Sequence, residues 1–149
     1  MGTHYQGNKK EINALNSYIK LIRSAETLTS KIYLELNNFN LTESQFGVLD
    51  ALLHIGPLKQ KELAKKILKS GGNITMVINN LEKEGFVQRK RGEKDRRHFM
   101  VHLTAKGKNK IQAVFPQLLK MITKHLEILN ESEQKELQKL CKVVGLMKR

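Results

Sequence analysis

Apolar residues recur at helical spacing over most of the chain and alternate with polar residues over one short stretch. Helical spacing marks residues 11–38, a segment that begins at residue 42, and residues 105–148. It predicts long amphipathic helices at both ends of the chain. Alternation from Phe99 to Leu103 predicts a strand with one buried face, formed by every second residue. The pattern therefore predicts a mainly α-helical fold that contains a small β-structure.

Short polar signals predict where two of these helices begin. Thr42 can cap a helix, and Gln45 three residues later completes a capping box. Asn130 and Glu133 repeat that pattern before the last helix. Pro57 is expected to stop the helix that begins at Thr42, because the residue before a proline avoids helical geometry.

The helix predicted from Ser70 to Glu84 has one apolar face and one polar face that carries no charge in its first three turns. Short polar side chains can donate and accept hydrogen bonds, as a base edge in a DNA groove requires. Adjacent residues are about 100° apart on a helix, so Asn79 and Asn80 cannot both point at DNA. Asn79 is the favoured one of the two. A solvated surface is the alternative for this face. The candidate contact residues are Ser70, Asn73, Thr75, Met76 and Asn79.

A short helix is predicted before this one, and a hairpin after it. Gly71 and Gly72 leave the first backbone N–H groups of the longer helix unshielded, which suits a phosphate. The candidate phosphate contacts are Lys59, Gln60 and Gly72. We call the hairpin, residues 86–103, the wing, and its basic end, residues 91–97, the wing tip. The candidate DNA contacts of the wing tip are Arg91, Lys94, Asp95, Arg96 and Arg97.

Composition narrows the possible partners. The 149 residues carry a formal net charge of +13, which favours polyanions such as DNA, RNA or an anionic membrane surface. There is no run of about 18 apolar residues that would span a bilayer. Residues 1–10 are expected to form a loose, basic lead-in, and because they contain no apolar signal core, a cytoplasmic protein is expected.

Groups that could support catalysis or bind a metal are few. Cys141 is the single cysteine, which excludes an internal disulfide and a cysteine-cluster metal site. Its apolar neighbours predict a buried, inert thiol. His98 and His102 lie four residues apart, but in a strand that spacing spans roughly 13 Å. No Gly-rich phosphate loop, nucleophile elbow or plausible carboxylate pair occurs, so no metal, no cofactor and no enzymatic activity are expected.

The order of these elements resembles the MarR family of bacterial transcriptional regulators, which are dimeric winged-helix proteins. The resemblance covers nearly the whole chain, and its most specific part is Asp95-Arg96-Arg97 followed by Leu103-Thr104-x-x-Gly107. It implies one domain over residues 1–149. In that domain a winged helix-turn-helix DNA-binding core, residues 42–104, is flanked by long N- and C-terminal dimerisation helices, residues 11–38 and 105–148.

The resemblance also implies roles for individual residues. The helix that begins at Ser70 would enter the major groove. Arg97 would enter the minor groove, braced by an ion pair with Asp95. Lys59 lies where many relatives carry a Thr or Ser cap. An effector cavity would lie between the terminal helices and the DNA-binding core, and its implied lining is Tyr33, Phe46, His54 and Phe115.

Two functions remain open from the sequence. The first is a homodimeric, sequence-specific transcriptional regulator, expected to be a repressor that binds double-stranded DNA at a near-palindromic operator and is released by a small-molecule effector. The alternative is a basic winged-helix module for protein interaction or for coating DNA without sequence preference. The two functions differ in whether affinity depends on DNA sequence.

Overall fold

The computed structural model describes residues 2–67, 71–94 and 96–148. In this part of the chain, six helices and three short strands follow one another. Their bounds are α1 (Lys9–Asn37), α2 (Glu43–Ile55), β1 (Leu58–Lys59), α3 (Gln60–Lys66), α4 (Gly71–Lys83), β2 (Val87–Arg91), β3 (Phe99–Leu103), α5 (Ala105–Leu126) and α6 (Glu131–Leu146). The mainly helical class with a small β-structure is confirmed.

The predicted capping signals form. The Thr42 hydroxyl accepts from the Gln45 backbone N–H at 3.1 Å, and the Gln45 side chain accepts from the Thr42 N–H at 2.9 Å. Asn130 and Glu133 form the same reciprocal pair at the start of α6. The end of α2 differs in detail from the prediction. The helix ends at Ile55, and the capping residue is Gly56, with φ of 99°, a left-handed conformation that glycine adopts without steric cost.

The sheet has three strands, one more than the hairpin predicts. All neighbours are antiparallel, in the order β1-β3-β2, and Leu58 of β1 pairs with Val101 of β3. A two-residue strand is too short to show alternation in the sequence. The prediction that Phe99 lies on the buried face is wrong, because its side chain is 52% exposed. Phe99 pairs with Arg91 at the outer end of the ladder, where the Arg91 guanidinium lies 5.8 Å from the centre of its ring.

The core lies where α2, α3, α4, α5 and the sheet meet, and α1 contributes Leu36 to it. Gly107 in the first turn of α5 allows this helix to approach the backbone of Phe86 closely. A Cβ atom there would lie 1.9 Å from the backbone oxygen of Phe86, just before β2. The neighbouring Thr104 donates from its hydroxyl to the Gly85 carbonyl at 2.6 Å and accepts from the Gly107 N–H at 3.0 Å. The Thr104-x-x-Gly107 pattern therefore joins α5 to the start of the wing.

The chain divides into two compact units, residues 1–118 and 119–149. In the first unit the expected loose lead-in is not observed. The Thr3 N–H donates to the Asn16 side chain at 2.7 Å, and Asn8 caps α1 in a box with Glu11. This box is the same polar signal that starts α2, but at residue 8 it lies before the apolar periodicity begins.

In the second unit α6 has no buried residue within a single chain. Cys141 is exposed there, and the expectation of a buried thiol is therefore wrong for one chain by itself. The apolar residues of α6 that are also exposed include Leu137, Leu140 and Val144. The prediction that the whole chain forms one domain stays a prediction.

Candidate nucleic-acid interface

The two faces predicted for α4 are present. Ile74, Ile78 and Leu81 are 0–1% exposed and pack in the core. The opposite side of the helix is open to solvent. We call it the reading face and define it as Asn73, Thr75, Met76, Asn79 and Asn80, all of which are exposed. At about 100° per residue, Met76 lies near its centre, with Asn79 and Asn80 on either side.

The short helix α3 lies against α4 as the helix-turn-helix pattern predicts. Leu63 and Ala64 are buried, whereas Gln60 at the start of α3 reaches the reading face. The Nε2 atom of Gln60 donates to the hydroxyl oxygen of Thr75 at 2.6 Å. Lys59 precedes α3 as its N-cap without a capping side-chain bond. Instead, the Glu62 carboxylate accepts from the Lys59 backbone N–H at 2.8 Å, so the long Lys59 side chain is not used as a cap.

Arg89 of β2 binds three side chains, and sequence reasoning did not single it out. Its Nη1 atom bonds to the Glu82 carboxylate at 2.5 Å, and its Nη2 atom bonds to Asn79 at 2.7 Å and to Gln60 at 3.3 Å. We call Gln60, Thr75, Asn79, Glu82 and Arg89 the Arg89 network. Thr75, Asn79 and Glu82 lie at i, i+4 and i+7, along one side of the helix. An acidic residue ending such a stripe, with an arginine in the next strand, is the sequence signal for this network.

The Arg89–Glu82 pair is anchored through the backbone as well. The Arg89 backbone N–H donates to Glu82 at 3.0 Å, and the Arg89 side chain is only 23% exposed. These hydrogen bonds, with the backbone N–H first and the guanidinium second, lower the pKa of Glu82 below its ordinary value, although partial burial opposes them. The carboxylate therefore stays ionised and holds β2 against the last turn of α4.

The wing tip continues from the strand that carries Arg89. The Gly92 N–H donates to the His98 carbonyl at 2.9 Å and closes the turn. Lys94, Arg96 and Arg97 are exposed. The structure therefore brings the polar side of α4 and the base of the cationic hairpin together through Arg89.

Three of the predicted contacts cannot be placed fully. Ser70 and Asp95 lie outside the described residues, and so does the proposed Asp95–Arg97 ion pair. Gly72 lies in the first turn of α4, where its backbone is described.

The four residues of the implied effector cavity are only partly brought together. The rings of His54 and Phe115 lie 4.8 Å apart between centroids. Phe46 and Phe115 pack against the core. Tyr33 is 58% exposed and lines an open groove of about 370 Å³ whose lining includes none of the other three.

Two further properties of the described residues bear on function. Among them, no three His, Cys, Asp or Glu side chains come together in a group that could hold a metal ion. Of the helices within the same ranges, none is long and apolar enough to cross a membrane.

Comparisons with known proteins agree with this geometry. The MarR family model matches residues 41–99, which include α2, α3, α4 and β2. An HTH-type transcriptional regulator of Bacillus cereus (strain ATCC 10987) is 33% identical over 124 residues, which cover 83% of this chain and 82% of that protein. The regulator YkoM of Bacillus subtilis is 29% identical over 93% of this chain and 91% of its own length.

The fold itself is shared with a solved structure. AbsC, a MarR family transcriptional regulator from Streptomyces coelicolor, superposes with a TM-score of 0.85 over 96% of this chain and 97% of its own, at 20% identity. The sequence match to the Bacillus cereus regulator extends well beyond the helix-turn-helix. The match to the MarR family model and the 33% identity to the Bacillus cereus regulator show that the chain belongs to the MarR family and is a DNA-binding transcriptional regulator.

Proposed function

We propose that two copies of the chain bind a near-palindromic operator. In each copy, the reading face of α4 enters a major groove and the wing tip enters the adjacent minor groove. The observation that carries this proposal is the Arg89 network, which joins an exposed, uncharged polar face to a cationic hairpin. Uncharged polar side chains are suited to base edges, whereas arginines are suited to phosphates and to a narrow minor groove. One element would therefore supply specificity and the other would supply most of the affinity.

The net charge of +13 supports the second role. Each phosphate that a Lys or Arg neutralises releases condensed counterions, so affinity falls as salt rises. Arg91, Lys94, Arg96 and Arg97 form a run of cations at the wing tip. Lys59 and Gln60 at the start of α3, with the Gly72 backbone at the start of α4, are the proposed contacts on the flanking phosphates.

The second copy is proposed from the exposed apolar residues of the terminal helices. In α1, Leu15, Leu21 and Ile22 are 37–39% exposed, and Tyr18 is 62% exposed. In α6, Leu140 and Val144 are more than half exposed. Burying such residues against an identical chain would remove apolar surface from water, and the two α4 helices would then reach successive major grooves about one helical turn apart.

Regulation is proposed to be repression relieved by a small molecule. A dimer on its operator would occlude a promoter, and a ligand that binds better to a conformation with a different spacing of the two α4 helices would favour release. We assign the proposed ligand site to the region beside His54 in the last turn of α2 and Phe115 of α5, whose ring centroids lie 4.8 Å apart. Phe46 and Tyr33 remain proposed lining residues.

The test has two steps. Bound sites are first selected from random DNA, and the affinities of the full-length protein for the best site and for a shuffled site are then measured by anisotropy across a salt titration. The proposal predicts an inverted repeat, and a preference for it that persists as salt rises. Equal affinity for both DNAs at every salt concentration would favour the alternative, a basic module that coats DNA without sequence preference. Light scattering at micromolar protein should give twice the 17.1 kDa chain mass, and a monomer mass would reject the dimer.

A further inference from the structure

We infer that Arg89 is a positioning residue that fixes the side-chain amide of Asn79 with its oxygen toward the protein, so that Asn79 meets DNA as a hydrogen-bond donor. This inference rests on the proposed function, because it assumes that the reading face contacts bases. It adds to that function a residue outside the reading face and a chemical restriction on the base that Asn79 accepts.

The orientation of the amide follows from the chemistry of arginine. A guanidinium has five N–H donors and no acceptor. The Asn79 atom that lies 2.7 Å from Nη2 of Arg89 must therefore be the oxygen Oδ1. Among the described residues, none accepts a hydrogen bond from the Nδ2 atom of Asn79. The amide nitrogen is thus the atom left to bind a base.

Arg89 is itself held in place from two sides. Glu82 accepts from both its backbone N–H and its Nη1 atom. Gln60 accepts from the same Nη2 atom that binds Asn79 and donates to Thr75. The guanidinium of Arg89 can only donate, and this fixes the direction of each hydrogen bond in the Arg89 network. Three elements, α3, α4 and β2, therefore contribute to the orientation of one side chain of the reading face.

This orientation restricts the base that Asn79 can read. Adenine is read by asparagine through a bidentate pair, in which Oδ1 accepts from the N6 amino group and Nδ2 donates to N7. When Arg89 holds Oδ1 toward the protein, the Nδ2 donor faces the base, and it suits the acceptors N7 and O6 of guanine, O4 of thymine and N7 of adenine, whereas cytosine presents only its N4 amino donor in the major groove. The protein should therefore discriminate against cytosine at the position that Asn79 reads.

Arg89→Lys is the informative substitution. Lysine keeps the positive charge beside Glu82, but its single nitrogen cannot occupy both the Nη1 and the Nη2 positions. Lys90→Arg is the control, because it makes the reverse exchange at the next residue of β2, whose exposed side chain lies on the opposite face of the strand and outside the Arg89 network. The measured quantity is the ratio of affinities for the selected operator and for shuffled DNA, together with the melting temperature.

We expect Arg89→Lys to lower this ratio about tenfold, the size of one good base contact, and to widen selection toward cytosine at one position in each half-site, because the released amide can turn its oxygen toward the N4 amino group. Asn79→Ala should lower the ratio by a similar factor. The double variant should lose no more than about twofold beyond either single variant, since both changes remove the same contact. Lys90→Arg should leave the selected sequence unchanged.

The outcomes distinguish a failure of the inference about Arg89 from a failure of the proposed function. Losses that multiply in the double variant, or an unchanged base preference in Arg89→Lys, would overturn the inference alone. A wild-type protein without operator preference would overturn the proposed function and the inference with it. If Arg89→Lys melts early, Asn79→Asp decides, because it keeps two acceptors for Arg89 and removes the donor. Retention of the operator-to-shuffled ratio by Asn79→Asp would contradict the assigned orientation, and its loss would support it.

Discussion

Gly107→Ala should destabilise the protein severely, because the first turn of α5 touches the backbone just before β2. The new Cβ atom would lie 1.9 Å from the carbonyl oxygen of Phe86 and 2.8 Å from its carbonyl carbon. Contacts under 3.0 Å essentially never occur for a real Cβ. The start of α5 and Phe86 would have to separate by about an ångström, in a core packed as densely as a crystal.

The expected cost is about 3 kcal/mol. Forcing a group into a packed interior costs about 1–3 kcal/mol, and the upper end applies because both sides of this contact are backbone. The same carbonyl oxygen accepts from the Thr104 N–H at 3.1 Å, and losing that hydrogen bond adds about 1 kcal/mol. The better helix propensity of alanine returns about 1 kcal/mol.

Urea unfolding followed by circular dichroism measures this change. All samples should have the same protomer concentration, because the stability of a dimer depends on it. Gly145→Ala is the matched control. Gly145 lies in α6 with no neighbouring atom within 4 Å of an added Cβ, so the same substitution should stabilise the protein by up to about 1 kcal/mol. A Gly107→Ala protein within about 0.5 kcal/mol of wild type would refute this reasoning.

Three further predictions concern single side chains. Arg97→Ala should weaken operator binding about tenfold or more in a gel-shift assay while the melting temperature stays unchanged, and unaltered affinity would reject a role for the wing tip. Thr42→Ala should cost about 1 kcal/mol in urea unfolding through loss of the α2 cap, whereas Thr42→Ser should stay close to wild type. Because Arg89 lowers the pKa of Glu82 from its ordinary value of 4.5, their pairing stabilises the fold above that pH, and the stabilisation disappears as pH falls through the lowered pKa. The stability of Glu82→Gln should therefore fall less steeply below pH 4.5 than that of wild type, and parallel pH profiles would contradict the pairing.

The helices and their polar signals could be predicted from the sequence because both are local. The capping box of Thr42 and Gln45 depends on residues three apart. The end of α4 depends on Gly85 adopting a φ of 78°, which few other residues adopt without cost. Burial of Ile74 and Ile78 follows from spacing alone. The helix that carries the reading face can therefore be predicted from the sequence.

Contacts between distant segments could not be predicted in the same way. Strand β1 has two residues, and its pairing with β3 spans more than forty positions. The hydrogen bond from Arg89 to Gln60 joins residues 29 apart. The basic run of the wing suggests phosphate binding for every arginine, whereas Arg89 is turned inward by Glu82. Phe99 alternates with the buried residue Val101 along β3, which predicts burial, but its side chain lies beyond the edge of the core and is exposed.

Dimethyl sulfate protection of the selected operator tests the central claim most directly, because the reagent methylates N7 of guanine in the major groove and N3 of adenine in the minor groove. We predict protection of guanine N7 at two positions about one helical turn apart, and protection of adenine N3 beside each of them. At a protein concentration that saturates the operator in spite of its weaker binding, Arg97→Ala should lose the adenine protection and keep the guanine protection. Loss of both kinds of protection together, or adenine protection that survives in Arg97→Ala, would contradict the assignment of α4 to the major groove and of the wing tip to the minor groove.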